Sequence, residues 1–306
     1  YTDLACRLAS DAGWRGKVVE QIRRGLVDSP LVDMDAYTRH LEEAYRHAIA
    51  QCPLKDSAAN DDSKALFQNA VRQHQANNLM EAADHYRQVL LHEPDYAAAL
   101  YLYGVLLGQT GQEADAIVQL KRAIAVSPSY LDAHLALSNL YLKQGQMEDA
   151  VAGFNKALQI KPSHFATLNG LGRALTGAGH LLQAVATLQQ AIQSQPQEAS
   201  AYFNLGVAYQ KQGMPDAAIA TYHRALALEP NNTEALFNLG VLFQQQSKAE
   251  RAAACYQQIL RIQPDHTSAY YHLGDVLFDA GKINPWLENF KQFRRHAPPS
   301  AMLAVY

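Results

Sequence analysis

Seven prolines set the frame of this 306-residue chain: Pro94, Pro128, Pro162, Pro196, Pro230, Pro264 and Pro298, each 34 residues after the one before. Proline has no amide hydrogen and its ring clashes with the preceding turn, so it ends a helix. A chain broken at this fixed interval is built from equal short units and not from a few long elements. With the proline at position 32, the repeats run 63–96, 97–130, 131–164, 165–198, 199–232, 233–266 and 267–300. Other positions keep the same phase. Position 8 is always small: Ala70, Gly104, Ser138, Gly172, Gly206, Gly240 and Gly274. Position 20 reads Ala82, Ala116, Ala150, Ala184, Ala218 and Ala252, then Trp286. Position 24 is large and apolar: Tyr86, Leu120, Phe154, Leu188, Tyr222, Tyr256 and Phe290.

Each repeat holds two short segments with apolar residues at helical spacing, such as Ala97–Gln109 and Glu113–Ala125. Small residues at positions 8 and 20 let the two helices approach, and position 24 fills the space beside them. After the proline stand Asp95, Ser129, Ser163, Asn231 and Asp265, with Gln197 the exception. These residue types cap helix N-termini, so the next helix is predicted to begin there. One repeat cannot bury its own apolar face, and stacking supplies the missing cover. The 34-residue period with this position pattern resembles the tetratricopeptide repeat. The expected fold is therefore all-α: a right-handed superhelical solenoid of seven helix pairs over 63–300, preceded by a three-helix segment.

Residues 1–52 do not follow the repeat. Leu4, Leu8, Val18, Ile22 and Leu26, then Tyr37, Leu41, Tyr45 and Ile49, give helical stripes, and Ser29-Pro30 separates two of the helices. This stretch resembles the C-terminal end of the catalytic domain of O-GlcNAc protein transferases, especially bacterial ones. The likeness rests on Tyr1-x-x-Leu4-Ala5, the pair Arg23-Arg24, the turn Ser29-Pro30-Leu31, and Tyr37-Thr38-Arg39 before Leu41-Glu42 and Ala44-Tyr45-Arg46. It implies a parent enzyme using UDP-GlcNAc, although that family places its repeats before the catalytic domain. The polar stretch 53–62 reads as a linker and 301–306 as an exit segment. Trp286 and Phe293 replace small residues, as expected at an array's end.

The repeats 63–300 carry 18 basic and 18 acidic side chains, so no basic stripe invites nucleic acid. No apolar run is long enough to span a membrane. Cys6, Cys52 and Cys255 show no paired spacing and suit a reducing, cytoplasmic compartment. The twelve histidines form no His-x-x-x-His pair and there is no Cys-x-x-Cys, so no metal site is expected. Gly170-Leu171-Gly172 is a packing feature and not a phosphate loop. No catalytic residue is assigned, because the resembling tail lacks the family's catalytic segments.

In tetratricopeptide arrays, first-helix positions 2, 5, 6, 9, 12 and 13 face the inner groove. Position 6 here includes Asn204, Asn238 and His272, and position 5 includes Asn169, Phe203, Phe237 and Tyr271; Asn139 lies at position 9. The transferase resemblance implies that asparagines in this groove hold substrate backbone, while Gly170 and Ala136 depart from such a ladder. The function expected is recognition of proteins or extended peptides for a transferase-like parent, with no cofactor in this chain. The alternative is a non-enzymatic scaffold for protein assembly.

Overall fold

The structure, a computed structural model, describes residues 59–296; residues 1–58 and 297–306, with the expected three-helix tail and exit segment, lie outside the described residues. Fourteen helices and no strand occupy the described residues. The chain divides after Lys143 into two compact bodies. The first contains α1 (Ala59–Gln75), α2 (Leu79–His92), α3 (Ala97–Gln109), α4 (Glu113–Val126) and α5 (Leu131–Lys143). The second contains α6 (Met147–Ile160), α7 (Phe165–Ala178), α8 (Leu181–Ser194), α9 (Ala199–Lys211) and α10 (Pro215–Leu228). It continues with α11 (Thr233–Gln245), α12 (Ala249–Ile262), α13 (Thr267–Asp279) and α14 (Ile283–His296). Helix α1 starts four residues ahead of the first repeat position.

The two helices of a repeat bury themselves differently. The second helix turns one stripe inward, as Ala116, Leu120 and Ala123 do on α4. The first helix of repeat two, α3, is covered nearly all round. On α3, Ala98 to Leu102 are all buried, together with Gly104, Leu106 and Leu107. Such a helix is not amphipathic, because α1, α2, α4 and α5 all pack on it.

In repeats two, four, five and six, position 8 acts directly on position 24. A Cβ added at Gly206 would lie 2.5 Å from Cε1 of Tyr222, and one at Gly104 2.8 Å from Cγ of Leu120. These glycines are helical residues whose missing side chain is occupied by the partner helix. The same reasoning explains Gly170, where an added Cβ would lie 2.5 Å from Cζ of Phe154. An asparagine is excluded there by the ring of the preceding repeat.

A second set of glycines has another cause. Position 15, between the helices of each repeat, has φ near +60° to +84° at Asn77, Gly111, Gly145, Gly179, Gly213, Ser247 and Gly281. A Cβ added at any of the five glycines would meet no other side chain or backbone within 4 Å. Backbone chirality is the reason, because a left-handed residue lets the next N–H close on the helix end. Gln112 N–H donates to the Leu107 carbonyl at 2.9 Å, and Lys248 N–H to that of Phe243 at 2.8 Å. Ser247 carries a Cβ in this conformation, which costs about 1 kcal/mol or more. Ser247→Gly is therefore expected to raise stability by about 1 kcal/mol, read as a higher urea midpoint. An unchanged or lower midpoint would contradict the assignment of strain to this turn.

The expected N-caps shift by one residue. Asp95, Asn231 and Asp265 do not cap; the N-caps that follow them are Tyr96, Asn232 and His266. Ser129 and Ser163 likewise precede the helix starts by two residues. Each of the six prolines from Pro94 to Pro264, with the residue after it, forms the middle of a turn closed from position 34 to position 31: Tyr96 N–H to Glu93 carbonyl at 3.2 Å, and Tyr130 N–H to that of Ser127 at 3.0 Å. Proline, then Asp, Asn or Ser, suits those two turn positions. At position 34, Asn232 and His266 cap through their side chains, accepting from the N–H groups of Ala235 and Ala269.

Candidate functional site

The inner positions of α7, α9, α11 and α13, all in the second body, carry seven of the eight residues singled out from sequence. The eighth, Asn139, is exposed on α5 in the first body.

Asn169 and Asn204 meet. Asn204 Nδ2 donates to Asn169 Oδ1 at 2.8 Å, and Asn169 Nδ2 donates to Ser200 Oγ at 3.2 Å. This three-residue chain joins repeats four and five across their first helices. Asn238 belongs to a different network: its Nδ2 donates to the Tyr222 hydroxyl at 3.3 Å, which itself donates to Gln210 Oε1 at 2.9 Å. One repeat on, Tyr256 donates to Gln244 Oε1 at 3.2 Å, and the ring of His272 stacks on Tyr256 at 5.5 Å. Position 24 of one repeat thus sets position 6 of the next. Burial pushes the phenols of Tyr222 and Tyr256 well above their usual range, so both remain hydroxyl donors.

The sequence carries a signal for this pairing. Where position 24 is tyrosine, position 12 is His74, Gln210 or Gln244, and each of these side chains bonds the hydroxyl. Where position 24 is Leu or Phe, position 12 reads Gly108, Leu142, Thr176 or Phe278. A buried hydroxyl needs a partner, and a buried leucine does not. Burial also lowers the pKa of His74, against the opposing hydrogen bond from its Nε2 to Gln109 Oε1 at 3.0 Å.

Phe203 and Phe237 lie half-buried on the core of the second body, with Phe203 5.9 Å from Tyr222 and Phe237 5.9 Å from Tyr256 between ring centroids. Between them opens a cleft of about 350 Å³ lined by Phe203, Thr233, Glu234, Phe237, Asn238, His266 and Ser268. His272 backs this wall, its ring edge-on to Phe237 at 5.1 Å. Tyr271 stands 61% exposed one residue before it. The chain thus brings Phe203, Phe237 and Asn238 together at one cleft, with Asn204 and Asn169 as a neighbouring pair. Thr233, Glu234, His266 and Ser268 were not singled out from sequence, although Glu234 and Ser268 occupy inward position 2.

Other chemistry is sparse. Among the described residues no group of His, Cys, Asp and Glu is arranged to hold a metal. Cys255 is buried, which pushes its thiol up to about 11, away from nucleophilic use. No helix among the described residues is long and apolar enough to cross a membrane.

Family profiles of the tetratricopeptide repeat match residues 67–120, 109–155, 172–213, 199–232 and 237–283. This is a tetratricopeptide-repeat chain. Its helix pairing recurs in a tetratricopeptide repeat protein from Parabacteroides merdae, 14% identical over 80% of this chain and 96% of that one, with a TM-score of 0.65. Pseudomonas aeruginosa PilF aligns at 20% identity over 65% of this chain and 90% of its own, with a TM-score of 0.57. A thermophilic tetratricopeptide protein of Thermus thermophilus aligns at 24% identity over 60% and 99%, with a TM-score of 0.50. At these identities the likeness concerns the fold. No curated protein matches the chain.

Proposed function

We propose that repeats five to seven of this tetratricopeptide array hold an extended segment of a partner protein. The observation that carries this reading is the cleft in which Phe203, Phe237 and Asn238 converge from consecutive first helices. An amide side chain can donate to a peptide carbonyl and accept from a peptide N–H, so it grips backbone with little regard to sequence. Asn238 spends one donor on Tyr222 and Asn204 one on Asn169. Those bonds fix the amides in place and leave both side-chain carbonyl oxygens available to a peptide. Phe203 and Phe237 offer apolar surface beside them, and their seating on the core keeps the site preformed, which lowers the ordering cost of binding.

The wider role rests on residues 1–52, outside the described residues. Their resemblance to the end of an O-GlcNAc transferase catalytic domain supports a parent enzyme that uses UDP-GlcNAc, for which this groove would recruit protein substrates.

Asn204→Ala with Asn238→Ala tests the groove. Losing two neutral hydrogen bonds to the peptide should weaken binding of extended peptides by about 1–3 kcal/mol in total, while circular dichroism shows the array still folded. Undiminished peptide affinity in that double variant would overturn the assignment.

A further inference from the structure

The inward positions of the second body are charged in two blocks. On α7 and α9 they read Ala166, Asn169, Gly170, Arg173, Thr176 and Gly177, then Ser200, Phe203, Asn204, Val207, Gln210 and Lys211: two cations and no anion. On α11 and α13 they carry Glu234, Asp275 and Asp279 and no lysine or arginine. Helical geometry puts these charges on the groove face, since Arg173 follows Asn169 by four residues, as Asp275 follows Tyr271 and Asp279 follows Asp275. Arg173, Lys211, Glu234 and Asp279 are exposed, and Asp275 is half-buried.

None of the five makes an ion pair among the described residues. Lys211 reaches only the Thr176 carbonyl, at 3.4 Å. The nearby Lys282 pairs with Glu250 at 3.7 Å instead. Burial raises the Asp275 pKa, the neighbouring His272 opposes this, and Asp279 adds to it. A cation placed beside Asp275 would relieve that repulsion. The aromatic cleft of Phe203 and Phe237 lies at the junction between the two blocks, with Glu234 on its wall.

Resting on the peptide-groove reading above, we infer that the occupant is an extended segment with a bulky apolar residue between an acidic side and a basic side. The apolar side chain enters the cleft between Phe203 and Phe237. Its acidic neighbours face Arg173 and Lys211, and its basic neighbours face Glu234, Asp275 and Asp279. The charge order then fixes which way the segment runs, a choice that asparagines gripping backbone do not make.

The test uses capped, fluorescein-labelled peptides of equal length around a central leucine, titrated onto the full chain by fluorescence anisotropy. One carries two glutamates before the leucine and two lysines after it. A second has the same composition with the charges alternating, and a third has glutamines at all four places. The segregated peptide should bind about five- to tenfold tighter than either of the others, the gain expected of a few partly exposed ion pairs. Glu234→Gln with Asp275→Asn should bring the segregated peptide down to the affinity of the alternating one. Equal affinity of all three peptides, each weakened by Asn204→Ala with Asn238→Ala, would overturn the charge-order inference and leave the groove intact. Binding of none of the three would overturn the groove reading, and this inference with it.

Discussion

Gly206→Val should destabilise the second body by about 3 kcal/mol, among the larger costs of overpacking a core. Its first added carbon would lie 2.5 Å from the Tyr222 ring, and that ring has no exposed side to move toward, being 0% exposed. The helix pair α9/α10 must therefore separate. In a stacked array each repeat leans on its neighbours, so the loss should spread to both sides of repeat five. Gly213→Ala is the matched control: Gly213 sits at φ +76° and an added Cβ would meet nothing within 4 Å, so only backbone conformation is at stake. Its cost should stay near 1–2 kcal/mol. Urea denaturation followed by circular dichroism separates the two, and equal midpoints would contradict the packing role of position 8.

Tyr222→Ala is expected to be costlier still, at about 3–5 kcal/mol, as for other large-to-small changes at buried aromatic residues. The informative variant is Tyr222→Phe. It keeps the ring against Gly206 and Phe203 but removes the hydroxyl that accepts from Asn238 and donates to Gln210. Stability should fall by about 1 kcal/mol, while peptide affinity also falls, because Asn238 loses its anchor. Stability lost with affinity unchanged would show that the hydroxyl serves the core alone.

That link between core and groove explains what the sequence did and did not disclose. The helix pairs were legible because Pro94 to Pro298, the small residues at position 8 and the alanines at position 20 repeat in strict phase, and close approach of two helices demands small residues at fixed places. The left-handed turn at position 15 is equally periodic in backbone but not in sequence, since Asn77 and Ser247 break the run of glycines. Asp95 and its counterparts suit caps and turns alike, and only the backbone separates the two uses. Gly170 broke the asparagine pattern for a reason carried by Phe154, in the preceding repeat. The cleft was the least legible feature. His266 lies outside every inward position and reaches the cleft only because α13 begins beside Phe237.

The most direct measurement of the groove's role is to locate a bound peptide. An extended peptide bearing a photoreactive benzophenone in place of its central apolar residue, crosslinked to the full chain and mapped by mass spectrometry, reports the contact itself. Crosslinks concentrated on Phe203, Phe237, Asn238 and Ser268, and lost when unlabelled peptide competes, are the expected result. Competed crosslinks confined to the outer faces of α10 and α12, or to α1–α5, would contradict it.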